Sequence, residues 1–122
     1  MNPTELVRLA KTAMQRAYVP YSGYKVGAAL LTKGGKVYLG CNIENAAFGP
    51  SNCAERTAFF TAIAAGETEF ESIAVVGGKD GVVTDIFPPC GVCRQVMQEF
   101  CAPDFMIYMG RGDDSYEAVP LE

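Results

Sequence analysis

The chain has 122 residues, is 49% hydrophobic and 20% charged, and carries a formal net charge of −4. These values suit one domain spanning residues 1–122, with a core that needs no disulfide staples, and they exclude a disordered chain. No cluster of Lys and Arg occurs, so a polynucleotide is a poor partner and a small neutral ligand a better one.

Asn2-Pro3 reads as a cap followed by proline at the first helical position. Leu6, Leu9, Ala10, Ala13, Met14 and Ala17 then recur at helical spacing, which predicts a helix over residues 3–18. Residues 26–32 are a compact apolar run, Lys33-Gly34-Gly35-Lys36 signals a hairpin, and residues 37–42 read as the returning strand. Residues 45–50 read as a loop. Residues 53–65, rich in Ala, predict a second helix with Gly66 at its end. A buried strand is expected at 72–77, a loop with a proline pair at 82–89, a third helix at 91–100, and strands at 105–109 and 116–119. This order predicts an α/β domain, a three-layer α/β/α sandwich on a mixed sheet of about five strands. The start of the chain lacks a basic patch followed by an apolar run. No apolar stretch reaches the roughly 20 residues needed to cross a bilayer, so the expectation is a cytoplasmic protein with no membrane partner.

Three of the five cysteines lie in two short runs, Ser51-Asn52-Cys53-Ala54-Glu55-Arg56 and Pro88-Pro89-Cys90-Gly91-Val92-Cys93-Arg94. An odd count argues against a disulfide framework. The absence of His excludes His-based triads and His metal ligands. The spacing of Cys90 and Cys93 suits a shared metal ion and also occurs in redox dithiols. Cys53 stands at a second predicted helix start, where N–H groups and partial positive charge stabilise thiolates. Two helix starts meeting at their tips would offer three thiolates to one zinc and leave its fourth position open, the mark of a catalytic site.

Glu55 has two readings. With Asn52 it comes close to a capping box, or it takes the proton of a zinc-bound water and returns it to substrate. A dication held by three thiolates is left net negative and is a weaker Lewis acid. Arg56 and Arg94 each stand close after a cysteine and would offset this. At about 4 Å and an effective dielectric near 20, one such charge is worth roughly 4 kcal/mol before desolvation.

These residues, in this order, form the zinc deaminase pattern with Cys in place of its His. The chain resembles cytidine deaminases of the small, homotetrameric, three-cysteine type, from Tyr21 to about Met109. The resemblance implies one zinc per subunit on Cys53, Cys90 and Cys93, with zinc-bound hydroxide attacking carbon 4 of cytidine or deoxycytidine and Glu55 as proton shuttle. It implies that Asn42 and Glu44, in Asn42-Ile43-Glu44-Asn45-Ala46, hold the 3′-hydroxyl of the sugar. Tyr24 would pack on the pyrimidine, and backbone around Ala54 and Cys90 would orient the base. Phe48 would approach a neighbouring subunit's site. The run 117–122 departs from the Leu-Leu-Pro segment and late Phe with which relatives cover a neighbour's site.

Two alternatives stand beside this reading. A deaminase for another cytosine nucleoside, such as blasticidin S, is disfavoured by Asn42 and Glu44, which suit an ordinary ribose. A structural zinc or redox module would need a fourth ligand from Cys41 or Cys101, which otherwise read as a strand core residue and a helix-end residue.

Overall fold

The computed structural model describes residues 1–47, 51–88 and 91–121. Helix α1 (Pro3–Met14) opens on Asn2, whose side-chain oxygen accepts from the Glu5 backbone N–H at 2.8 Å while its amide donates to the Glu5 carboxylate at 3.1 Å. It buries Leu6, Val7, Ala10, Ala13 and Met14 along one stripe. The helix ends before residue 18 because the Tyr18 N–H leaves it and donates to the carbonyl of Asn42 at 3.1 Å.

Five strands follow the expected order: β1 (Tyr24–Thr32), β2 (Val37–Cys41), β3 (Phe70–Lys79), β4 (Met106–Gly110) and β5 (Tyr116–Pro120). Spatially they run β2-β1-β3-β4-β5, with β3 and β4 parallel and every other pair antiparallel. Strands β1 and β3 are longer than their apolar runs because Tyr24 and Lys25 pair with Lys79 and Gly78. Helices α2 (Ala54–Ala64) and α3 (Gly91–Phe100) complete the fold.

Alternation along the strands sorts the core into two layers. Ala29, Leu31, Ala74 and Val76 face α1. Val26, Ala28, Leu30, Ile73, Val75 and Ile107 face α2 and α3, packing on Ala58, Phe59, Ala62, Cys93 and Met97. This is the expected three-layer sandwich on a mixed sheet. Gly40 lets α2 lie directly on β2, since a Cβ there would sit 2.3 Å from the Ala54 oxygen and 2.5 Å from the Ala58 nitrogen. Gly27 does the same for α1 on the opposite face, against the Ala10 oxygen and the Met14 nitrogen.

The start of β1 and the ends of β2 and β3 lie at one end of the sheet, and β3 leads through residues 80–90 to the start of α3. Among the described residues, no helix is long and apolar enough to cross a membrane.

Candidate active site

Cys53 is the N-cap of α2, in extended conformation, with no capping hydrogen bond from its side chain. Asn52 does not cap the helix. Its backbone exchanges hydrogen bonds with Ile43 at 2.8 and 3.0 Å, and its amide donates to the Thr57 hydroxyl at 3.0 Å. The capping-box reading of Asn52 and Glu55 therefore fails, because pairing with Ile43 moves the cap one residue on.

Glu55 is buried, only 2% exposed, in the first turn of α2. Its carboxyl is in hydrogen-bond contact with its own backbone N–H and with Cys93. Burial pushes its pKa above the ordinary carboxylate value, and the charge of Cys53 adds to the rise. Burying a carboxyl is costly even with these two contacts, so its place on this apolar face points to chemistry rather than packing.

Arg56 supplies the positive charge. Its Nη2 donates to Cys53 Sγ at 3.3 Å, and the sulfurs of Cys53 and then Cys93 raise its pKa. Its Nε–H is buried and, among the described residues, has no partner. One guanidinium thus addresses two sulfurs that arrive from the starts of two helices.

Cys93 is buried in the third position of α3. Cys90 lies outside the described residues, and among those described no group of three His, Cys, Asp or Glu is placed to hold a metal ion. The donor chemistry nevertheless fits zinc: two cysteines at helix starts, bonded by a guanidinium that strengthens thiolate character. Neither remaining cysteine can close the site. Cys41 shares strand parity with Val37 and Leu39, which pack on the α1 side of the sheet, and it feels Arg16 rather than Arg56. Cys101 follows Cys93 by eight residues, about 12 Å along a helix axis.

A second group of side chains gathers at the same end of the sheet. The Asn42 side chain prolongs the β1–β2 pairing past the end of β2: Oδ1 accepts from the Val26 N–H at 2.9 Å and Nδ2 donates to the Tyr24 carbonyl at 2.8 Å. Glu44 Oε1 accepts from the backbone N–H groups of Tyr21 and Ser22, each at 3.1 Å, and Oε2 accepts from the Ser22 hydroxyl at 2.5 Å. These Ser22 bonds hold the Glu44 carboxyl below its ordinary value. Tyr24 is 37% exposed and packs its ring on Phe87, centroids 5.5 Å apart.

The family profile described as the cytidine and deoxycytidylate deaminase zinc-binding region matches residues 1–109. The chain belongs to this family. Zinc-dependent deamination is the family's function. The chain is 49% identical over 109 residues to the cytidine deaminase of Sporosarcina psychrophila, covering 89% of this chain and 77% of that one. It is 50% identical over 110 residues to the cytidine deaminase of Halalkalibacterium halodurans, covering 90% and 80%. The crystal structure of cytidine deaminase from Burkholderia pseudomallei superposes with a TM-score of 0.90 at 46% identity, covering 99% and 94% of the two chains.

On this deaminase fold the remaining expected residues fall as follows. Ala54 is buried as the first residue of α2, its carbonyl against Gly40. Arg94 is half-buried on α3 and makes no hydrogen bond or ion pair among the described residues, whereas Arg56 contacts Cys53 Sγ. Phe48 lies outside the described residues. Sequence reasoning overlooked Ser22, Lys79 and Phe87. Phe87 carries no local signal; only the β1–β3 register places it against Tyr24 and above Gly77.

Proposed function

We propose that this chain catalyses the hydrolytic deamination of cytidine and deoxycytidine to uridine and deoxyuridine, releasing ammonia. The observation that carries the proposal is the buried Glu55 carboxyl in contact with Cys93, next in sequence to an arginine bonded to Cys53. Cys53, Cys90 and Cys93 would hold one zinc per subunit, and zinc bound there would act as a Lewis acid that makes water nucleophilic near neutral pH.

Glu55 takes one proton from the attacking water and delivers it to ring nitrogen 3; it then carries the second, from the new hydroxyl on carbon 4, to the amino group, so that the C–N bond breaks, ammonia leaves and carbon 4 becomes a carbonyl. Its raised pKa suits a group that must both accept and return a proton. Arg56 offsets the negative charge of the sulfurs, and Arg94 adds a second positive charge at the start of α3. Backbone around Ala54 and Cys90 orients the base, Tyr24 packs on its face, and Asn42 and Glu44 meet the 3′-hydroxyl. In the proposed assembly, a cytoplasmic homotetramer, Phe48 reaches the site of a neighbouring subunit. A closed structural zinc site is disfavoured by the positions of Cys41 and Cys101.

The test is ultraviolet-monitored conversion of cytidine by zinc-loaded protein and by Glu55→Gln. Wild type should form uridine, and the variant should lose roughly 10²- to 10⁴-fold in kcat while keeping its zinc. Folded, zinc-loaded wild type that leaves cytidine unchanged would overturn the proposal. Loss of zinc from Glu55→Gln would remove Glu55 from the proton-shuttle role.

A further inference from the structure

The segment 21–24 ties two parts of the site together through one hydroxyl. Ser22 Oγ donates to Glu44 Oε2 at 2.5 Å and accepts from the Tyr24 backbone N–H at 3.0 Å. From the end of β3, Lys79 Nζ donates to the Ser22 carbonyl at 2.6 Å, and its charge also reaches Glu44. The neighbouring Asp80 N–H donates to the Gly23 carbonyl at 2.7 Å. This segment is therefore latched from the β3 side and from Glu44 at once.

Counting donors and acceptors shows what the latch leaves open. A carboxylate offers about four acceptor positions. Backbone N–H groups take two on Glu44 Oε1, and Ser22 takes one on Oε2. A primary amide offers two N–H donors, and Asn42 gives one of them to Tyr24. Among the described residues, one acceptor on Glu44 Oε2 and one donor on Asn42 Nδ2 remain, which together match a single hydroxyl. Which carboxylate oxygen keeps the open position is decided by Ser22. Because Ser22 also holds the Tyr24 N–H, it fixes the spacing between the sugar end and the base end of the site.

Resting on the proposed roles of Asn42, Glu44 and Tyr24, we infer that Ser22, latched by Lys79, is a positioning residue that sets discrimination for substrates bearing the 3′-hydroxyl. It acts by orienting Glu44 and contributes no atom to the reaction. A merely structural role for Ser22 would weaken turnover of all nucleosides alike, whereas a positioning role moves the ratio between them.

The experiment compares kcat/KM for cytidine and 3′-deoxycytidine in zinc-loaded wild type, Ser22→Ala, Lys79→Met, Lys79→Arg and Glu44→Gln. Calorimetric titration with uridine and 3′-deoxyuridine gives a readout independent of turnover. Ser22→Ala should lower the cytidine preference about tenfold, chiefly through KM, the loss expected for one hydrogen bond to a charged acceptor. Uridine binding should weaken to match, with 3′-deoxyuridine nearly unchanged. Lys79→Met should move the ratio the same way and Lys79→Arg should restore it. If Glu44→Gln lowers the preference and Ser22→Ala does not, or if Ser22→Ala weakens both substrates equally, the inference is overturned. If Glu44→Gln leaves the preference intact, the assignment of Glu44 to the sugar is overturned and the inference falls with it.

Discussion

Replacing Gly40 by Ala tests how α2 is seated. Gly40 pairs with Ala28 in the sheet, and an added Cβ would lie 2.3 Å from the Ala54 oxygen, 2.5 Å from the Ala58 nitrogen and 3.0 Å from the Ala58 Cα. All three are backbone atoms, so no rotamer change relieves the clash. The helix must lift by about 1 Å to restore ordinary contact, and overpacking of this kind costs roughly 1–3 kcal/mol. For a domain of this size that is about 3–12 °C in Tm. The first turn of α2 carries Glu55 and Arg56 and begins at Cys53, so the same shift misplaces the site, and about 1 Å can cost on the order of 10²-fold in rate. Thermal unfolding followed by circular dichroism, together with cytidine turnover, measures both effects. Gly34→Ala is the control, since its Cβ would meet only the Thr32 hydroxyl at 3.7 Å. A Gly40→Ala protein with wild-type Tm and wild-type turnover would refute the direct seating of α2 on β2.

The cysteines should divide cleanly by zinc analysis: Cys53→Ser, Cys90→Ser and Cys93→Ser lose the metal, while Cys41→Ser and Cys101→Ser keep it. Retention of zinc in any of the first three removes that residue from the ligand set. Arg56→Gln should reduce kcat by about tenfold or more through loss of its bond to Cys53 Sγ, with a smaller change in zinc content. An unchanged kcat would end the charge-compensation argument. Burial pushes the Cys101 thiol up to about 12, so its thiolate is scarce below that pH and iodoacetamide at pH 8 should label it far more slowly in the folded than in the unfolded protein. Any contribution to stability from this raised value is complete below about pH 9, the ordinary thiol value, and declines as pH rises toward about 12. Equal labelling of folded and unfolded protein would show the thiol to be exposed.

Much of the architecture was legible because local signals agree with the fold. Asn2-Pro3 capped α1 as expected, the Lys33-Gly34-Gly35-Lys36 hairpin joined β1 to β2, and Gly91–Phe100 formed α3 at its expected bounds. Departures came where a distant partner outbid a local pattern. The helical spacing through Ala17 did not hold α1 beyond Met14, because the Tyr18 N–H pairs with Asn42. The capping box failed because Ile43 claimed Asn52. Asn42 read as a strand residue with a ligand's side chain, yet that side chain is also the last link between β2 and β1.

By itself the sequence determined the chemistry on offer. It holds three cysteines at two predicted helix starts, a glutamate two residues after the first, two arginines and no histidine, and residue identity and near-neighbour spacing suffice to say what such groups can bind. Tertiary structure alone decided which groups meet. The β1–β3 register set Lys79 beside Ser22, and the sheet put Cys41 on the face away from Cys53. Packing of α2 and α3 on a common face brought Glu55 to Cys93 and left Arg56, not Arg94, bonded to Cys53 Sγ. Those contacts join residues tens of positions apart, and their energies come from burial and register, which no local window of sequence contains.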